Sequence, residues 1–120
     1  MDMGLFDSFS RFLASPARAS TLLDLLKKMK KENGTELRIT PGLVPQAMVK
    51  GKLLPLSENP LEAEEVSSIC YMLFTGEQKT EFDKNKKIEF GFGIKEIGRY
   101  KANISSTEGK VSGVFTLLAR

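Results

Sequence analysis

The sequence predicts an α+β domain, an antiparallel sheet with helices packed on one face. Two observations carry that prediction. Three segments repeat apolar residues at helical spacing, while six short stretches read as strands, several of them by strict polar–apolar alternation. The strands also fall into two runs separated by a helical insert, and the links within the last run are too short for parallel crossovers. With 120 residues, 41% of them hydrophobic and 28% charged, the chain has an ordinary globular composition and room for one core.

The first segment, Met3 to Leu13, places Leu5, Phe6, Phe9, Phe12 and Leu13 on one stripe of an amphipathic helix. Pro16 disfavours the α conformation in the residue before it, so the helix is expected to stop there, and Ala14 to Arg18 reads as a linker. Residues 1–19 are accordingly read as an amphipathic helix and linker, and 20–120 as the domain. Ser20 is a candidate N-cap for a helix over Thr21 to Glu32, with Leu22, Leu25, Leu26 and Met29 inside and Asn33-Gly34 as a left-handed stop.

Glu36 to Thr40 alternates as a strand, Gln46 to Lys50 reads as a second, and Gly51-Lys52 suits a tight turn into a third over Leu53 to Leu56. Asn59-Pro60-Leu61-Glu62 reads as a capped helix start with proline at the first helical position. Leu61, Val66, Ile69, Cys70, Leu73 and Phe74 continue it, Gly76 ends it, and a shorter helix over Glu77 to Asp83 is anchored by Phe82. The last third alternates again, with Ile88, Phe90, Phe92 and Ile94, then Tyr100, Ala102 and Ile104, then Val111 to Leu118. These predict an antiparallel meander, giving the order α-α-β-β-β-α-α-β-β-β.

Several kinds of chemistry are missing. There is no histidine and a single cysteine, which removes Ser–His–Asp and Cys–His catalysis and any Cys/His zinc site. No GxxxxGK[ST] loop occurs. Glu62, Glu64 and Glu65 crowd the start of a helix, where acids favour the dipole. Gly91-Phe92-Gly93 sits inside a strand and reads as a place where another backbone or ring packs closely. Cys70 falls within an apolar stripe, as a small core residue does. The expectation is a non-catalytic chain with no metal and no cofactor.

The net charge of +3 is mild, and Lys and Arg are interleaved with acids. The cluster Lys27, Lys28, Lys30 and Lys31 lies at a helix C-terminus, where cations complement the dipole, so nucleic acid is not an expected partner. A lone cysteine, no signal peptide and no apolar run near 20 residues give the expectation of a cytoplasmic protein.

Leu22-Leu23-Asp24-Leu25-Leu26 followed by Asn33-Gly34-Thr35-Glu36-Leu37-Arg38-Ile39 resembles a short helix and a Ser-Asp-Leu-His-Leu strand of a known family. Gly42-Leu43-Val44-Pro45 and Val49-Lys50-Gly51-Lys52-Leu53 resemble its Gly-x-x-Pro and its strand–Gly–strand hairpin. Glu77-Gln78-Lys79-Thr80-Glu81-Phe82 is similar to its short helix. Ile88-Glu89-Phe90-Gly91-Phe92 and Gly98-Arg99-Tyr100-Lys101-Ala102-Asn103 resemble its paired Asp-x-Ser-Phe and Arg-Phe-Arg-Val-Asn strands. The order and spacing of these pieces resemble the PAS-like N-terminal domain of the PilT-type twitching-motility ATPases, shared more distantly with type IV pilus and type II secretion ATPases. The family's strand histidine is Arg38 here, its aspartate is Glu89, and its second strand arginine is Lys101.

In that family the domain packs on a neighbouring motor domain, and its basic residues approach the nucleotide. This chain reaches Arg120 where the motor would begin, without the motor's motifs. The resemblance therefore implies a docking surface rather than hydrolysis, with Arg38, Arg99, Lys101 and Asn103 as candidates for ligand or domain contact. Met1 to Arg18 has no counterpart in the family. The leading expectation is an adaptor or regulator of pilus, motility or secretion ATPase machinery. A small-molecule or nucleotide sensor is the alternative, and a homodimer with a structural role is a third. The stripe of Leu5, Phe6, Phe9, Phe12 and Leu13 has three uses open to it: folding back on the domain, docking a partner or second copy, and touching a membrane. Arg11, offset by Asp7, is too little charge for an interfacial helix, so membrane association is not expected.

Overall fold

The computed structural model describes residues 16–119, and side chains from 21 to 118. The elements run in the order α1 (Pro16–Lys31), β1 (Glu36–Ile39), β2 (Gln46–Val49), β3 (Lys52–Pro55), α2 (Ala63–Met72), α3 (Gly76–Asn85), β4 (Lys87–Ile94), β5 (Gly98–Thr107) and β6 (Lys110–Ala119). The predicted α+β class and element order hold for all of these, and several boundaries move for identifiable reasons.

Helix α1 begins at Pro16, not at Thr21. Proline needs no N–H partner at the first helical position and its φ is already helical, while Ala17, Arg18 and Ala19 tolerate the α conformation well. Ser20 is therefore interior, Pro16 to Arg18 is helix rather than linker, and the 19/20 division falls inside α1. The end of the helix is as expected. Asn33 holds a left-handed φ of 61° and the Gly34 N–H returns to the Met29 carbonyl at 2.8 Å. A Cβ on Gly34 would lie 2.6 Å from Met29 Cγ, so the stop also needs a residue without a side chain.

Helix α2 starts three residues later than its proline suggests. Leu61 is tied into extended backbone by Gly42 N–H to the Leu61 carbonyl at 2.8 Å and Leu61 N–H to the Leu43 carbonyl at 3.1 Å. Glu62 takes the capping position instead, its N–H donating to Glu65 Oε1 at 3.1 Å. Gly76 opens α3 and does not close α2. Thr75 caps it through a reciprocal pair, Gln78 N–H to Thr75 Oγ1 at 3.2 Å and Thr75 N–H to Gln78 Oε1 at 3.0 Å.

The six strands form one antiparallel sheet in the order β3-β2-β1-β6-β5-β4. The β2–β3 turn is Lys50-Gly51 and the β5–β6 turn is Glu108-Gly109, each with two positive φ angles, as a twisted two-residue hairpin requires. The first and last strands, β1 and β6, meet at the centre and join the two runs.

Alternation sends one side of every central strand into the core. Leu37, Phe115 and Ala102 form one buried cross-strand row, and Ile39, Gly113, Ile104 and Ile88 form another. Leu22, Leu25, Leu26 and Met29 of α1, and Val66, Ile69 and Cys70 of α2, cover these rows. Burial pushes the Cys70 thiol up to about 12, which keeps it protonated and fits the core role read from sequence. The glycines expected to mark a close approach are elsewhere. Gly91 and Gly93 have room for a Cβ, with nearest atoms at 3.7 and 3.6 Å. Among the strand glycines the tight one is Gly113, where a Cβ would stand 3.3 Å from both Cys70 Sγ and Phe115 Cε2.

Candidate docking face

With the described helices on one side, no described element covers the other side of the sheet, and alternation decides what it carries. One row across it runs Gln46, Arg38, Val114, Asn103 and Glu89, and the next runs Leu53, Met48, Glu36, Thr116, Lys101 and Gly91. Arg99 follows on β5 beside Gly93, at the register irregularity between Arg99 and Tyr100. The four candidates Arg38, Arg99, Lys101 and Asn103 thus share one face. Arg38 and Asn103 both pair with Val114, from opposite sides.

Two of the three cations on this face, Arg38 and Lys101, are paired with carboxylates on it. Arg38 Nε donates to Glu36 Oε2 at 2.6 Å, and Lys101 Nζ lies 3.0 Å from Glu89 Oε2. Both pairs stand in water, where an ion pair contributes about 0–1 kcal/mol. A partner carboxylate can replace Glu36 or Glu89 at little cost. Sequence reasoning missed the apolar part of the surface, namely Met48, Leu53 and Val114. The signal was available, since each sits in the outward register of its strand.

Hollows lie beside the sheet, and the two of greatest interest differ in charge. One of about 660 Å³ is bordered by Glu81, Asn85, Lys87, Glu89, Asn103 and Ser105. Its two carboxylates sit poorly with a phosphate ligand. The other, of about 620 Å³, brings Lys95 up to Lys27, Lys30 and Lys31 over Leu23 and Ile97. Lys30 is already engaged there, donating to the Glu96 carbonyl at 3.0 Å. Among the described residues there is no cluster of His, Cys, Asp or Glu able to hold a metal, and no helix long and apolar enough to cross a membrane. Leu5, Phe6, Phe9, Phe12 and Leu13 lie outside the described residues.

The helix-backed, six-stranded antiparallel sheet matches the N-terminal domain structure of PilT, one of the type IV pilus ATPases. In sequence the chain is homologous to two of them. It is 28% identical over 79 residues to the type IV pilus ATPase PilU of Pseudomonas aeruginosa, covering 66% of this chain and 21% of PilU. It is 23% identical over 94 residues to the type IV pilus retraction ATPase PilT of the same bacterium, covering 78% of this chain and 27% of PilT. Its structure is similar to the crystal structure of the pilus retraction motor PilT with bound ADP, with a TM-score of 0.74 and 23% identity over 80% of this chain and 28% of that one. No family model matches. The chain spans about a fifth to a quarter of the length of these two relatives.

Proposed function

We propose that this chain is a non-catalytic binding module of type IV pilus ATPase machinery, an adaptor or regulator that meets another protein through the open face of its sheet. The observation that carries the reading is the convergence of Arg38, Arg99, Lys101 and Asn103 on one solvent-facing surface, beside Met48, Leu53 and Val114. Paired surface charges around an apolar patch suit a protein partner, because they steer the encounter while the apolar groups are covered. The same face suits a nucleotide poorly, since the Arg38 and Lys101 charges are each matched by a carboxylate.

The test is a titration of the purified full chain against a purified pilus retraction ATPase, compared with Arg38→Glu and Lys101→Glu. Each reversal removes an attraction and adds a repulsion, so an affinity at least about tenfold weaker is expected for each, equivalent to about 1.4 kcal/mol. Binding that is absent for the native chain, or unchanged in both variants, overturns the proposal. A thermal shift with nucleotide that Lys101→Glu abolishes would favour ligand sensing instead.

A further inference from the structure

The two edges of the sheet are unequal. Strand β3 is four residues long, begins at Lys52 and ends at Pro55, so it is short, charged and interrupted as protected edges are. Strand β4 at the opposite edge is eight residues long, with no proline and a continuous register to β5. Its start is flanked by Glu81 and Asn85 of α3, which border the same hollow as Lys87 and Glu89. From Phe90 to Ile94 no element of the described chain pairs with its outer side. There the helix-side residues Phe90 and Phe92 are only partly buried, and the open-face residues are Gly91 and Gly93.

We infer that this free edge of β4 pairs antiparallel with β4 of a second copy, about a twofold axis through Phe92. An antiparallel strand keeps its faces only if the paired positions have the same parity, and the Phe92-centred register meets that condition. It sets Phe92 against Phe92, Phe90 against Ile94 and Gly91 against Gly93. It also sets Glu89 opposite Lys95, the first residue beyond the strand, so no like charges face each other. Each copy is thus complementary to itself over the stretch that α3 leaves uncovered, as an isologous interface must be. The rings would extend an existing chain of contacts, since Phe90 already meets Phe74 at 5.9 Å and Phe92 meets Tyr100 at 5.6 Å and Phe115 at 5.9 Å. The inference stands independently of the use made of the open face.

The experiment is sedimentation equilibrium of the full chain from low micromolar to millimolar concentration, with the double variant Gly91→Lys, Gly93→Lys beside it. Both positions have room for a side chain in the monomer and neither has a positive φ, so the variant is expected to fold with an unchanged circular dichroism spectrum. In the paired form its lysines would oppose one another across the axis. The native chain should double in mass with rising concentration and the variant should remain at the monomer mass. Mixing the variant with its glutamate counterpart, Gly91→Glu, Gly93→Glu, should restore the doubled mass. A native chain that stays monomeric at every concentration overturns the inference. So does a dimer that the lysine pair leaves intact.

Discussion

At Gly113 helix α2 lies close against the sheet. The glycine Cα faces the Cys70 thiol and the edge of the Phe115 ring, and a methyl group there would meet both at 3.3 Å. Gly113→Ala should therefore destabilise by overpacking, by about 1–3 kcal/mol in denaturant titration. Removing the sulfur relieves half of the crowding, so Cys70→Ala should recover part of that loss in the double variant. The two changes should be non-additive, as expected of residues in contact. Strict additivity would mean that the backbone shifts to make room and that the contact is slack. The sequence could not mark this glycine. Its neighbour in space is more than 40 positions away in the chain, whereas Gly91 and Gly93 drew notice only by lying close together.

Helices α2 and α3 are joined by polar contacts as well as by the buried Phe82. Tyr71 Oη donates to Asp83 Oδ1 at 2.9 Å, Lys79 Nζ donates to Asp83 Oδ2 at 3.1 Å, and the Lys79 ammonium stands 5.8 Å from the centre of the Tyr71 ring. The Tyr71 hydrogen bond, and then that of Lys79, holds the Asp83 carboxyl below the usual carboxylate range. A depressed folded-state pKa contributes stability above the unfolded value that is lost as pH falls through the folded one. The thermal midpoint should thus fall in acid, and Asp83→Asn should flatten part of that fall while lowering the midpoint near neutrality. A chain without histidine has no such transition between pH 5 and 8 from that side chain. The element scale is also where the sequence was most legible. Strands β1, β4 and β5 announced themselves by alternation, and α1, α2 and α3 each showed an apolar stripe or anchor. Helix starts were harder, because Asn59-Pro60 and Glu62 compete to begin α2, and the hydrogen bonds of Leu61 to residues 42–43 decide between them. The Thr75–Gln78 capping pair was present in the sequence, but Gly76 within it reads more readily as a stop.

At the scale of the whole molecule, the sheet depends on one central seam. Strand β1 meets β6 over Glu36–Thr116 to Ile39–Gly113, a pairing between distant parts of the chain that leaves no local pattern to read. The candidate site was legible only in part for the same reason. Alternation along β5 aligned Arg99, Lys101 and Asn103, but bringing Arg38 to them required the β1–β6–β5 register. A chain cut after Gly109 lacks β6 and keeps a three-stranded meander and a separate hairpin with no strand between them, so it should lose the cooperative thermal transition of the full chain. A folded, cooperative product would show that α1 alone can hold β1 to the rest. The seam also sets a clock during synthesis. Ile39 leaves the ribosome well before Gly113 exists, and at about 5–20 residues per second the interval is several seconds. Throughout it β1, the middle of the finished sheet, is an outermost strand with an unoccupied side. The nascent chain passes through a period when its most aggregation-prone edge is one the mature protein never displays, and chaperone demand should peak then.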